Sequence, residues 1–196
     1  MRKSLLFVWA CMGLVCLMSA CKTSVKSKEW KLVWVEDFDQ KNSFDESVWT
    51  KIPRGTSDWN NYMSYYDSCY AMQDGNLILR GIANHTQKND TAPYLTGGVY
   101  TKGKKLFTGG RVEVCARLQA AKGAWPAIWM LPEKAEWPKG GEIDIMERLN
   151  HDRIAYQTTH SYYTHVLGIK DNPPHGGINK INPEEYNIYS VDIYPD

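Results

Sequence analysis

The sequence has no surplus of either charge: 23 basic side chains against 22 acidic ones leave a net +1 over 196 residues. A nucleic-acid-binding domain leaves a basic footprint, so no function of that kind is expected. Beyond the first twenty residues there is no amphipathic helical stretch of ordinary length, which argues against bundles and α/β layers. No internal repeat or low-complexity tract is present, so solenoids and disordered tails are excluded as well. His151, His165 and His175 lack metal-ligand spacing and are assigned no role. Cysteine is scarce: five in all, of which Cys11, Cys16 and Cys21 fall in the N-terminal segment. Cys69 and Cys115 remain, and the expectation for them is two buried free thiols in strands rather than a disulfide.

Against these absences stand eight Trp and twelve Tyr. Aromatics in that number serve either as packing in a β-rich core or as flat platforms for the C–H faces of sugar rings. The first residues are an address rather than fold. Met1-Arg-Lys3 is a positive n-region, Leu5 to Leu17 is apolar but too short to span a bilayer, and Leu17-Met-Ser-Ala-Cys21 ends in small residues before a cysteine. This resembles the bacterial lipobox. The expected division is a signal peptide over 1–20, a polar tether over 21–29 starting at a lipidated Cys21, and one domain over 30–196. Such a protein would sit in the cell envelope, held to the outer membrane by lipid alone.

From Trp30 onward, short strands alternate with turns. Lys31–Val35 reads as an opening strand. Asp74-Gly75 is a hairpin turn feeding Asn76–Arg80, and Gly97–Thr101 is set off by its glycines. Arg111–Leu118 alternates cleanly, with Val112, Val114, Ala116 and Leu118 on one face and Arg111, Glu113, Cys115 and Arg117 on the other. Ala124–Leu131, Gly141–Leu149, Thr158–Tyr162 and Ile188–Ile193 complete the set. The pattern predicts an all-β, two-sheet antiparallel sandwich.

Glu142, Asp144 and Glu147 lie in a strand otherwise made of Ile143, Ile145 and Met146. Burying three acids in such a strand is costly unless they have work to do. In a regular strand Glu142 and Asp144 share a face and Glu147 points away. One extra residue around Ile145–Met146, a β-bulge, returns Glu147 to the acidic face. Glu142 and Glu147 would then lie about 5–6 Å apart, the separation that suits a retaining double displacement. Glu142 would attack while ionised. Glu147 would hand over a proton and then take one from water, and Asp144 would hydrogen-bond Glu142 and modulate both. A calcium loop would space its ligands among Gly and Asn instead.

Glu142-Ile-Asp-Ile-Met-Glu147 resembles the signature of glycoside hydrolase family 16, the laminarinase–agarase–lichenase group. Trp30–Asp39, Trp59-Asn-Asn-Tyr-Met-Ser-Tyr-Tyr66, Asp74-Gly-Asn-Leu77, Gly98–Lys102 and Gly123–Pro132 are similar to family segments in family order. The resemblance implies a concanavalin-like β-jelly roll with a concave sugar-binding face. It implies that Trp125 and Trp129 contact sugars at negative subsites, that Asn61 hydrogen-bonds a sugar hydroxyl, that Glu113 lies on the cleft face, and that His160 donates to Glu147 or to substrate. Trp137 is expected on the rim. Cys115 stands where the family has Arg, and Arg148-Leu-Asn-His-Asp152 differs from the usual Tyr-Val-Gly; both point away from a plain β-glucan and toward a galactose-containing or host glycan. Tyr189–Asp196 resembles a strand that relatives follow with further strands, so the domain is expected to be incomplete at its C-terminus, with exposed strand edges.

The expected protein is an endo-acting retaining hydrolase of a β-linked polysaccharide, monomeric, without a cofactor. A structural calcium stays open, since some relatives bind one on the convex face. The alternatives are a non-catalytic carbohydrate-binding protein and a transglycosylase on the same fold.

Overall fold

The computed structural model describes residues 30–40 and 42–194. The signal-peptide and Cys21 readings lie outside the described residues, as does most of the tether. Every described strand belongs to one compact unit, Leu32–Asp196.

Twelve strands are present among the described residues: β1 (Thr50–Lys51), β2 (Tyr70–Gln73), β3 (Asn76–Leu79), β4 (Gly81–Ala83), β5 (Tyr94–Thr96), β6 (Val99–Tyr100), β7 (Gly110–Ala116), β8 (Ala127–Met130), β9 (Glu142–Glu147), β10 (Ile154–His160), β11 (Gly176–Lys180) and β12 (Asn187–Ile193). The helical content described is a 3-10 turn at Asp67–Cys69 and a single π-helical turn at Tyr162–Val166. The twelve described strands pair antiparallel, and one isolated parallel bridge joins Met63 to Thr96 of β5.

Two layers position the site. The first is a four-stranded sheet in the order β11-β10-β9-β8, and the second is the pair β12-β7. Alternation assigns their inner faces. On β7 the residues Arg111, Glu113 and Cys115 are exposed while Val112, Val114 and Ala116 are half-buried. Val112 and Ala116 of β7, with Tyr189 and Val191 of β12, pack on Ile145 and Met146 of β9, on Ala155 of β10 and on Leu118. Met146 is wholly buried and Ile145 nearly so. Each such side chain contributes roughly 1.5–3 kcal/mol of burial.

The Asp74-Gly75 turn behaves as its residues require. Asp74 has φ 52° and Gly75 φ 69°, the left-handed pair a two-residue hairpin needs, and Gln73 pairs directly with Asn76. Gly97 is required for a different reason, since a Cβ there would sit 2.4 Å from the Cys69 carbonyl oxygen.

Two expectations are corrected. Lys31–Val35 forms no strand; Leu32, Val33 and Val35 are exposed. The segment is held instead by side chains. The Trp34 ring lies 5.6 Å from that of Phe107, and Trp49 Nε1 donates to Glu36 Oε2 at 3.0 Å. Cys69 and Cys115 are both free, but Cys69 ends the 3-10 turn rather than lying in a strand, and Cys115 is exposed.

Candidate active site

β9 holds one residue more than its neighbours. Against β10, Thr158 pairs with Asp144 and Tyr156 with Glu147, so Gln157 alone faces both Ile145 and Met146. Against β8, Trp129 pairs with Asp144, and the adjacent Ile128 pairs with Met146, so Ile145 has no partner. This is the bulge expected from the acid spacing. Its consequence is visible in the packing: Ile143, Ile145 and Met146 all face the core, and Glu142, Asp144 and Glu147 all face the other way.

Each carboxylate has its own partner. Trp137 Nε1 donates to Glu142 Oε2 at 2.6 Å. Trp125 Nε1 donates to Glu147 Oε1 at 2.8 Å. Between them Asp144 is 5% exposed, with its Oδ2 3.1 Å from His160 Nε2. At that distance neutral His160 donates to the carboxylate, or protonated Asp144 donates to the bare nitrogen. Burial pushes Asp144 up to about 7, with the Glu147 and Glu142 charges adding to the effect. The centre of the site therefore binds a proton near neutral pH.

These contacts shape a trough that crosses the strands. Its floor is the row Trp129–Asp144–Thr158–Gly176, set by direct pairing across four strands. One side carries Glu147 and Trp125, the other Glu142, Trp137 and His160. At the β8 end Trp129 meets Trp59 edge-on, with ring centroids 5.4 Å apart. At the β11 end the floor falls to Thr158 and Gly176.

The remaining expected residues divide. Trp125 and Trp129 are in the trough. Asn61 makes no described contact with the carboxylates; Trp59, two residues earlier in the same turn, is what reaches Trp129. The Asn61 Oδ1 is buried with no hydrogen-bond donor, an arrangement that costs roughly 1–3 kcal/mol. His160 meets Asp144, not Glu147, because the antiparallel register sets His160 opposite Glu142 and Tyr156 opposite Glu147. Likewise Asp144 contacts His160 rather than hydrogen-bonding Glu142.

Glu113 is not brought to the site. It projects from the outer face of β7, 3.8 Å from Arg111 Nη1, while the inner face of that strand meets the core side of β9. Cys115 shares that outer face, so its substitution for Arg does not alter the trough. The sequence reading assigned nothing to His165, whose ring lies 4.5 Å from Trp137. It also left out Trp59, whose membership of the Trp-Asn-Asn segment was the available signal.

Comparison with known proteins agrees with this geometry. Residues 60–185 match the family model described as "XgeA-like, catalytic GH16 domain". The chain belongs to glycoside hydrolase family 16. Within that family it is 37% identical over 174 residues to the keratan-sulfate endo-1,4-beta-galactosidase of Sphingobacterium multivorum, a match covering 86% of this chain and 40% of that protein. It is 31% identical over 193 residues to the beta-glucanase of Rhodothermus marinus, covering 92% of this chain and 65% of the relative. The chain thus spans less than two thirds of both. The crystal structure of the laminarinase from Rhodothermus marinus superposes with a TM-score of 0.73 at 30% identity, over 85% of this chain and 69% of that one.

Proposed function

We propose that this chain is an endo-acting retaining glycosidase that cleaves β-linked, galactose-containing glycans, with Glu142 as nucleophile and Glu147 as acid/base. The observation that carries the reading is the bulge in β9, which turns both glutamates and Asp144 to one face of the sheet. In the first step Glu142 attacks the anomeric carbon while Glu147 protonates the leaving oxygen. The C–O bond to the leaving sugar breaks and a glycosyl ester forms on Glu142. In the second step Glu147 takes a proton from water, and the hydroxide displaces Glu142. Trp137 and Trp125 each orient one of the two carboxylates by an indole N–H. The galactose preference is supported by the 37% identity to an endo-β-galactosidase, and a β-glucan is the competing substrate on the strength of the Rhodothermus relative. The outer position of Cys115 removes one of the two residue-level arguments between them and leaves the departure at Arg148–Asp152.

The test is oligosaccharide release from keratan sulfate, mucin O-glycans, agarose, laminarin and mixed-linkage glucan, with wild type beside Glu142→Gln and Glu147→Gln. Wild type should cut a galactose-containing polymer internally, and each variant should lose about 10²–10⁴-fold. With an activated aryl glycoside, Glu147→Gln should still form the covalent intermediate. Binding without release, or equal release by wild type and Glu142→Gln, would mark a carbohydrate-binding protein instead. Transfer to an added sugar in preference to water would mark a transglycosylase.

We also infer that Cys21 carries the lipid that tethers the domain to the envelope. The support is the sequence alone: the basic start, the short apolar run and the small residues before Cys21. Mass spectrometry of the mature N-terminal peptide tests it, and an unmodified Cys21 in a soluble fraction would refute it.

A further inference from the structure

We propose that His165 is a positioning residue for the nucleophile, acting through Trp137. The proposal rests on the assignment of Glu142 above. Trp137 is the described donor to Glu142, yet its side chain is half exposed, and the loop carrying it supplies no strand to hold it. A carboxylate oriented by one N–H is only as well oriented as the indole that carries it. The ring nearest that indole is His165, edge-on at 4.5 Å and 63°. His160 is farther away, at 6.5 Å from Trp137 and 6.0 Å from His165.

His165 is itself fixed by backbone rather than by burial. Immediately after β10, Ser161 opens the π-helical turn with a reciprocal cap: its Oγ accepts from Thr164 N at 3.2 Å, and its own N donates to Thr164 Oγ1 at 3.3 Å. His165 N donates to Ser161 O at 2.8 Å, Leu167 N to Tyr162 O at 3.1 Å and Ile169 N to Tyr163 O at 3.2 Å. No residue of the turn is buried. A turn so closely bonded, with nothing in the core to anchor it, presents one ring to the flank of Trp137. The chain runs from His160, at the end of β10, directly into the turn that carries His165. One segment therefore contacts both Asp144 and Trp137.

Two measurements test this, and the first needs no substrate. The Trp137 indole N–H resonance, identified by its loss in Trp137→Phe, should shift and lose exchange protection in His165→Ala, keep both in His165→Phe, and respond to Glu142→Gln in wild type. An indole signal that His165→Ala leaves unchanged overturns the proposal whether or not the chain turns over a glycan. The second is kinetic. Removing an edge-to-face ring contact should lower kcat about threefold to tenfold with KM nearly constant, and His165→Phe should recover most of it. In the Trp137→Phe background, which has already lost the donor, His165→Ala should cost nothing further. An equal loss in both backgrounds, or no recovery by His165→Phe, would show that the imidazole acts on substrate directly and would overturn the positioning role. His165 is exposed, so His165→Ala should unfold with the wild-type midpoint. A wild type that releases nothing from any glycan would count against the glycosidase reading, and the indole measurement would still decide the contact.

Discussion

Replacing Asp144 by Asn removes a charge that the fold holds at a cost. The carboxyl is 5% exposed and lies between two glutamates, and its pKa rises from 3.8 to about 7, chiefly through burial and then through Glu147 and Glu142. An acid whose folded pKa is raised keeps a proton that the unfolded chain releases. Its contribution is therefore fully present below about pH 4 and is lost as pH climbs through 7. At about 1.4 kcal/mol per pH unit, the displacement corresponds to a loss of about 4 kcal/mol across that window, an upper figure because water and side chains relax around the charge. Asn resembles the protonated acid in shape and can still accept from His160. The variant should therefore match wild type at about pH 3 and exceed it by about 2–4 kcal/mol at about pH 8.5. Guanidinium unfolding of both proteins across that range measures the difference directly, and groups that titrate in both proteins cancel. A difference that stays flat with pH would refute the reasoning. The same variant should turn over more slowly, since Asp144 is the group that His160 contacts between the two glutamates.

Three further outcomes are expected. Met146→Ala should lower stability by about 2–5 kcal/mol in equilibrium unfolding, because the wholly buried side chain sits where β9 meets the β7–β12 layer. Trp125→Phe removes the N–H that Glu147 accepts and should cost about tenfold in kcat/KM while leaving the unfolding midpoint in place, given that Trp125 is half exposed. With a thiol reagent, exposed Cys115 should react at once and Cys69 only on unfolding. Cys69 is wholly buried and its thiol pKa is pushed up by that burial.

The carboxylate strand was legible because the side-chain period of a strand is rigid. Acids at 142, 144 and 147 cannot share a face without an inserted residue, so the spacing itself implies the bulge. Other features depended on partners that alternation does not name. It sorted β7 into two faces correctly, yet could not say that the Glu113 row points outward, because that follows from which sheet β7 joins. His160 fell beside Asp144 rather than Glu147 through the register of β10. The contact of His165 with Trp137 arises from a single tight turn after a strand, a geometry with no periodicity to detect. Lys31–Val35 has the composition of a strand, but composition supplies no neighbouring edge to pair with.

The insertion in β9 also bears on a class of change that substitution does not sample. Shortening an active-site strand by one position ordinarily throws everything beyond it onto the wrong side. Here the unpaired residue is Ile145, and the pairs on either side of it, Trp129 with Asp144 and Ile128 with Met146, are already consecutive on β8. Excising Ile145 would join those pairs into an unbroken ladder and leave Glu142, Asp144 and Glu147 in phase at every second position. What would be lost is an aliphatic side chain from the interior. The arrangement of the three acids is thus compatible with two strand lengths, and a lineage could pass between them by a single codon deletion without first losing its chemistry.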